Sequence, residues 1–200
     1  MAIEFNRNAV PAAKEPFWRK EVKMLPGGFS MKNTFPVGSV IRKSSPIYVD
    51  FATMSAAVVK VGKVLTGGTT TAPRVSKGHN FVVGDLVMKI GATGKAVTVS
   101  SIDKTNSVYD VITFSAALTG VAAGDFVQEA VADSDNFKVK YTANMVLGAD
   151  VEVKEVGMPT LDASYDCIIL KSIAAPIPEE WLVSGGCGLA TNPRIMYINQ

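Results

Sequence analysis

From residue 37 onward the chain is built of short apolar runs separated by turns rich in Gly, Asp, Asn and Thr. Val151-Glu152-Val153-Lys154 alternates apolar and polar positions, the period-two pattern of a strand with one face in water. Comparable β-rich runs are predicted at 39–42, 46–51, 56–65, 81–83, 86–90, 96–102, 108–114, 137–141, 150–156 and 165–170, with a shorter one at Arg74-Val75. Turn residues separate them at Lys43-Ser44-Ser45, Gly67-Gly68, Gly84-Asp85, Gly91-Ala92-Thr93-Gly94 and Asp103-Lys104-Thr105-Asn106. About eight to twelve strands at this spacing predict a mainly β fold of the sandwich or barrel type, not an alternating α/β enzyme. Helix is expected only as an amphipathic turn over 17–22 and a short piece after Pro178, where Glu179-Glu180 precede Trp181-Leu182.

Residues 1–36 read differently. Pro11, Pro16, Pro26 and Pro36, with Gly27-Gly28 between them, oppose a stable helix. Yet Phe17, Trp18, Met24, Leu25, Phe29, Met31 and Phe35 are too apolar for a free tail. The segment is therefore predicted to be an extended N-terminal arm lying along its own body or a neighbouring subunit. An internal echo divides the remainder. Val83-Gly84-Asp85-Leu86-Val87 returns forty residues later as Ala123-Gly124-Asp125-Phe126-Val127, each a Gly-Asp reversal feeding an apolar strand. This predicts a small β-barrel over 63–131, inserted in an outer β framework of 37–62 plus 137–200. Gly67-Gly68 and Asp133-Ser134-Asp135 are the expected hinges.

Charge adds an asymmetry. The 200-residue chain is 19% charged, below the roughly 25% of an average domain, and 48% hydrophobic, so a folded and partly covered surface is expected. Residues 1–45 hold eight basic and three acidic side chains, whereas the remainder hold 12 and 15. A basic arm ahead of a mildly acidic body is the pattern of an electrostatic docking segment. No dense Lys/Arg run points to nucleic acid. No stretch approaches the roughly 20 apolar residues of a membrane span, and no secretory leader is read at the N-terminus.

Chemistry-bearing motifs are few. Cys167 and Cys187 stand 20 apart with no CxxC and are read as free thiols, a disulfide requiring neighbouring strands. His79 is the sole histidine, placed in the polar turn Ser76-Lys77-Gly78-His79-Asn80 with no local nucleophile signature, and is read as an exposed or turn-capping residue. Gly91-Ala92-Thr93-Gly94-Lys95 lacks the spacing of a phosphate loop and is read as a hairpin turn. Asp133-Ser134-Asp135-Asn136 offers oxygen atoms, but the glycine and glutamate of a calcium loop are replaced by Lys138 and Asn144. Neither an enzyme, a metal site nor a cofactor is predicted.

The stretch Phe35-Pro36-Val37-Gly38-Ser39-Val40-Ile41-Arg42, followed by Ser45-Pro46-Ile47-Tyr48-Val49-Asp50, resembles the opening of tailed-bacteriophage head fibre proteins, the capsid decoration family. The run 72–85, Ser101-Ile102-Asp103, Tyr109-Asp110-Val111-Ile112-Thr113, Asn144-Met145-Val146-Leu147-Gly148 and Ala175-Pro176-Ile177-Pro178 continue the likeness over residues 35–182. The resemblance implies a structural virion protein, made in the host cytoplasm and bound as a homotrimer to the outside of the major capsid shell. Other auxiliary capsid proteins are further possible partners, and no catalytic residue carries over. The long arm and the apolar stretch Arg194-Ile195-Met196-Tyr197-Ile198 depart from the family and fit a cementing role. Capsid or subunit contact is accordingly expected from Phe17, Trp18, Arg19, Lys20, Lys23, Phe29 and Phe35, the aromatics as anchors and the cations steering toward an acidic shell. The alternative is a host-surface glycan-binding module whose ligands sit on loops of 63–131. Its few aromatics (Phe81, Tyr109, Phe114 and Phe126) mostly fall at strand positions.

Overall fold

A computed structural model describes residues 15–18, 22–25, 28–92, 94–157 and 159–199. The fold is mainly β. In chain order the strands are β1 Lys23–Met24, β2 Phe29–Met31, β3 Val40–Ile41, β4 Pro46–Asp50, β5 Ser55–Val58, β6 Val61–Leu65, β7 Arg74–Ser76, β8 Leu86–Lys89 and β9 Val97–Asp103. They continue with β10 Tyr109–Phe114, β11 Phe126–Asp133, β12 Asn136–Val139, β13 Met145–Leu147, β14 Val151–Glu152, β15 Thr160–Leu161, β16 Ala163–Leu170, β17 Gly188–Leu189 and β18 Asn192–Ile198. The helix expected after Pro178 is a single 3₁₀ turn, Glu179–Trp181.

Two large sheets and a two-stranded one, β14-β3, make up the described fold. A nine-stranded framework runs β15-β2-β5-β4-β13-β16-β18-β17, with β1 also on β16. A seven-stranded sheet contains every strand from β6 to β12. Its pairings close on themselves: β11–β6, β6–β7, β7–β10, β10–β9, β9–β8 and β8–β11 form a six-strand ring, with β12 as an appendage on β11. The ring encloses its own core, including Val75, Val87, Val99, Ile112, Phe114 and Val127. The framework carries two further clusters, one around Phe29, Ile47 and Leu161 and one around Cys167, Ile195 and Tyr197.

Several boundaries differ from the sequence reading. The run 56–65 is two strands in different sheets, and the chain crosses at Val59-Lys60. Residues 137–139, expected in the framework, belong to β12 and hairpin with β11. Gly67-Gly68 and Asp133-Ser134-Asp135 are turns inside the ring sheet rather than hinges; the return crossing is at 140–144. The expected strand 81–83 is irregular, because this segment makes the Gly84-Asp85 turn.

The described parts of the arm lie on the chain's own body. Phe17 bridges Ile169 antiparallel, Trp18 N–H donates to Ile168 O at 2.8 Å, and Leu170 N–H donates to Pro16 O at 2.7 Å. Further along, β1 pairs β16 while β2 sits between β15 and β5. Proline lacks a donor but keeps its carbonyl, so a proline-containing segment can still add an edge to a sheet. Of the amphipathic helical turn expected at 17–22, Phe17 makes an extended contact, and residues 19–21 lie outside the described residues.

Candidate functional site

The repeated Gly-Asp motif folds the same way twice. Val82 N–H donates to Asp85 Oδ2 at 2.8 Å, and Ala122 N–H donates to Asp125 Oδ2 at 2.8 Å. Asp85 N–H returns to Val82 O and Asp125 N–H to Ala122 O, both at 3.2 Å. Gly84 and Gly124 take φ of +94° and +97°, the left-handed conformation that glycine adopts without a Cβ penalty. Each turn then grips a strand by paired backbone bonds: Gly84 and Asp85 with Val99 of β9, Gly124 and Asp125 with Val64 of β6. The strands leaving the two turns, β8 and β11, pair with each other about Met88↔Gln128. The ring is thus two pseudo-equivalent halves, β6-β7-β8 and β9-β10-β11.

One position separates the halves in charge. In the alignment set by the two motifs, Lys89 on β8 corresponds to Glu129 on β11. At the second turn Lys89 Nζ lies 2.8 Å from Asp125 Oδ2, both part-exposed, and holds that carboxyl below its ordinary range. At the first turn the equivalent residue is an acid, so Asp85 and Glu129 form an anionic pair with both side chains buried. Two lysines neutralise it. Lys60 Nζ sits 2.7 and 2.8 Å from the two Asp85 oxygens and 3.9 Å from Glu129, while Lys140 Nζ is 2.7 Å from Glu129 Oε1. These lysines occupy the outgoing and returning crossovers. Phe35 of the framework lies over Lys60 Nζ at 5.1 Å from its ring centre. Glu129 Oε2 is buried and has no hydrogen-bond partner.

A second buried polar group follows from strand periodicity. β10 alternates strictly, sending Asp110 inward with Ile112 and Phe114. A buried carboxylate needs partners, and Asp110 has Lys77 and His79, the latter with Nε2 at 3.0 Å. His79 Nδ1 accepts the Phe81 N–H at 2.9 Å, which assigns the ring proton to Nε2 and engages both nitrogens. Burial pushes this imidazole down to about 4, against the pull of Asp110. It caps the turn as expected, but from the interior. Gly62 makes room: a Cβ there would meet Val75 Cγ1 at 2.4 Å and His79 Cβ at 2.9 Å.

Both groups border the seam between ring and framework. A cleft of about 820 Å³ lies between the framework segment containing Phe35 and Val40 and the ring residues Val82, Val83 and Lys104. A second hollow, about 590 Å³, shares Val40, Asn80, Phe81 and Lys104 with it and reaches His79 and Asp110. The described residues contain no cluster of three or more His, Cys, Asp or Glu suited to a metal. Cys167 and Cys187 are free, and burial pushes the Cys167 thiol up to about 11.

The expected contact residues separate sharply. Phe17, Phe29 and Phe35 are 7%, 2% and 8% exposed and belong to the chain's own core, so they do not present docking surfaces. Their apolar demand is met by the chain's own body, the first of the two alternatives left open for the arm, which corrects the expectation that these three aromatics anchor a partner. Trp18 is 42% exposed, and Lys23 is exposed but paired with Asp166 at 3.1 Å. Arg19 and Lys20 lie outside the described residues.

Exposed apolar surface appears instead at the β4–β5 turn, where Phe51 and Met54 are each 54% exposed. Asp50 stiffens this turn by accepting Ala52 N–H at 3.0 Å and Thr53 Oγ1–H at 2.7 Å, and Phe51 packs edge-on against Phe29. The available signal was Asp50, a turn-forming residue at the end of an apolar run. No protein-family description, curated protein or solved structure matches the chain.

Proposed function

We propose that this chain is a structural virion protein, a capsid decoration or head fibre protein attached to the outside of the major capsid shell. The sequence resemblance over 35–182 motivates the reading, and the polarity of the β4–β5 hairpin carries it. At one end of this hairpin the chain leaves Val58 for the ring; at the other, the capped turn holds Phe51 and Met54 into solvent. The strands between them span roughly 13 Å at about 3.3 Å per residue. A rigid apolar knob opposite a compact ring suits a protein that seats one end and displays the other.

This assigns attachment to Phe51 and Met54 in place of the buried arm aromatics. Both side chains are already about half covered, so burying the remainder contributes about 1.5–3 kcal/mol, roughly ten- to a hundredfold in affinity. The test is the copy number retained on particles by the Phe51→Ser/Met54→Ser double variant. At least tenfold weaker binding is expected, and the double variant should remain folded, with a melting temperature lowered by only a few degrees through loss of the Phe51–Phe29 contact. Full occupancy by a folded double variant would reject the attachment site. Absence of the unaltered protein from purified particles would reject the function.

A further inference from the structure

Three ionisable side chains meet in the interior where the chain enters the ring. Glu129 N–H donates to Lys60 O at 3.0 Å, which sets the two residues side by side. On β8 the register partner of Glu129 is Val87, which follows the Asp85 turn and brings that carboxylate to the same place. The side chains of Lys60, Asp85 and Glu129 are 3%, 9% and 7% exposed. Holding so many charges out of water is costly even when they are paired. One covalent step removes two of them. Condensation of the Lys60 amine with the Asp85 carboxyl leaves a neutral amide, and Glu129 keeps Lys140 as its counter-ion at 2.7 Å.

We infer that Lys60 and Asp85 join in an intramolecular amide bond, with Glu129 carrying the proton that the reaction must move. Lys60 Nζ lies 2.7 Å from Asp85 Oδ1 and 2.8 Å from Oδ2, which puts the nitrogen about 3 Å from Cγ, a near-attack separation. Glu129 Oε1 is 3.9 Å from the same nitrogen, and Glu129 Oε2 is buried with no hydrogen-bond partner. Val82 N–H donates to Asp85 Oδ2 at 2.8 Å, so Oδ2 remains as the amide oxygen and Oδ1 leaves. One ammonium proton passes to Oδ1, and the resulting amine attacks Cγ to form the N–C bond. A second proton passes from the nitrogen through Glu129 to Oδ1, the Cγ–Oδ1 bond breaks, and water departs. The third proton stays on the amide nitrogen, Glu129 ends as it began, and nothing is oxidised or reduced. Phe35 covers the nitrogen, and all three reacting residues line the cleft between ring and framework, which gives the water an exit. The equivalent turn lacks these features: Lys89 and Asp125 are part-exposed, and Lys89 itself occupies the position of Glu129.

The bond closes residues 60–85, with β6 and β7 between them, into a covalent loop, and it does not depend on capsid attachment. Its test is the mass of the purified full chain under denaturing conditions, followed by peptide mapping. After folding and incubation at neutral pH, the chain is expected to weigh one water less than its unlinked form. Trypsin should no longer cut after Lys60, and a branched peptide should join Lys60 to Asp85. Lys60→Arg is expected to keep the full mass. Folded Glu129→Gln should keep it as well, because loss of the proton carrier slows the reaction at least about a hundredfold. A parent chain that retains its full mass overturns the inference, as does a water lost at any other site, Lys140–Glu129 included. Linkage at the parental rate in folded Glu129→Gln overturns the role given to Glu129. Should Glu129→Gln fail to fold, the branched peptide of the parent decides alone.

Discussion

His79 should make this fold acid-sensitive well above the range in which its carboxylates titrate. The imidazole is 2% exposed, bonded at both nitrogens, and lowered by burial from 6.5 to about 4. A histidine whose folded value is depressed is protonated first in the unfolded chain. Its contribution is complete above about pH 6.5 and is lost as pH falls toward 4. Linkage between those two values gives a loss of about 2 kcal/mol at pH 5 and about 3 kcal/mol at pH 4, relative to neutral pH. Asp50, Asp103 and Asp125 are shifted downward from 3.8, so their losses fall mainly below this window. Urea unfolding followed by circular dichroism at pH 7.5, 6, 5 and 4 measures the slope. With a denaturant dependence of about 2 kcal/mol per molar, the midpoint should drop by about 1 M by pH 5. His79→Gln should start less stable, since one amide cannot replace both ring contacts. Its stability should nevertheless vary by less than about 0.5 kcal/mol over the same interval. Parallel slopes for the two proteins would refute the assignment of a neutral, desolvated imidazole at this position.

The equivalent turns should respond unequally to loss of their aspartates. In the unlinked chain, Asp85→Ala leaves the buried Lys60 ammonium only the more distant Glu129 and should cost about 2–4 kcal/mol, whereas Asp125→Ala leaves part-exposed Lys89 to water and should cost about 1 kcal/mol. Equal costs in urea unfolding would contradict the charge arrangement described. Tyr197→Phe should stabilise the protein, because the hydroxyl is buried without a partner in an otherwise apolar cluster. Removing such a group relieves about 1–3 kcal/mol, at about 2–4 °C in melting temperature per kcal/mol for a chain this long. A fall of more than 2 °C would mean that the hydroxyl is satisfied.

What could be read in advance followed from physics that is local in sequence. A Gly-Asp step fixes a left-handed residue and offers a carboxylate to nearby amides, so both copies of the turn were visible as text. The β class followed from short apolar runs between turns and from the alternation of Val151-Glu152-Val153-Lys154, although only Val151–Glu152 of that run is strand. The sheet change at Val59-Lys60 was hidden because 56–65 reads as one valine-rich run in which Lys60 and Lys63 look alike, and strands from two different sheets bury the same residue types end to end. The short arm strands were hidden for a different reason: two or three residues are too few to show a period, and their pairing depends on partners more than a hundred positions away, as with Lys23 and Asp166.

The same distinction explains the errors about binding. Proline recurrence near the N-terminus excludes a helix but is silent on whether the resulting extended chain finds an edge within its own fold. Here β16 and β5 supply those edges, and Phe17, Phe29 and Phe35 become interior residues. Apolar content alone therefore identifies what must be covered, not by whom. Glu129 and Lys89 carry a related lesson. Each is an ordinary charged residue in an apolar strand until the forty-residue echo aligns them, and opposite charges at equivalent positions of a repeat mark where two otherwise equal faces meet different surroundings. Lys60 and Lys140 flank Glu129 of β11 through backbone bonds, so the acidic half is neutralised by its own strand neighbours, at the places where the chain enters and leaves the ring.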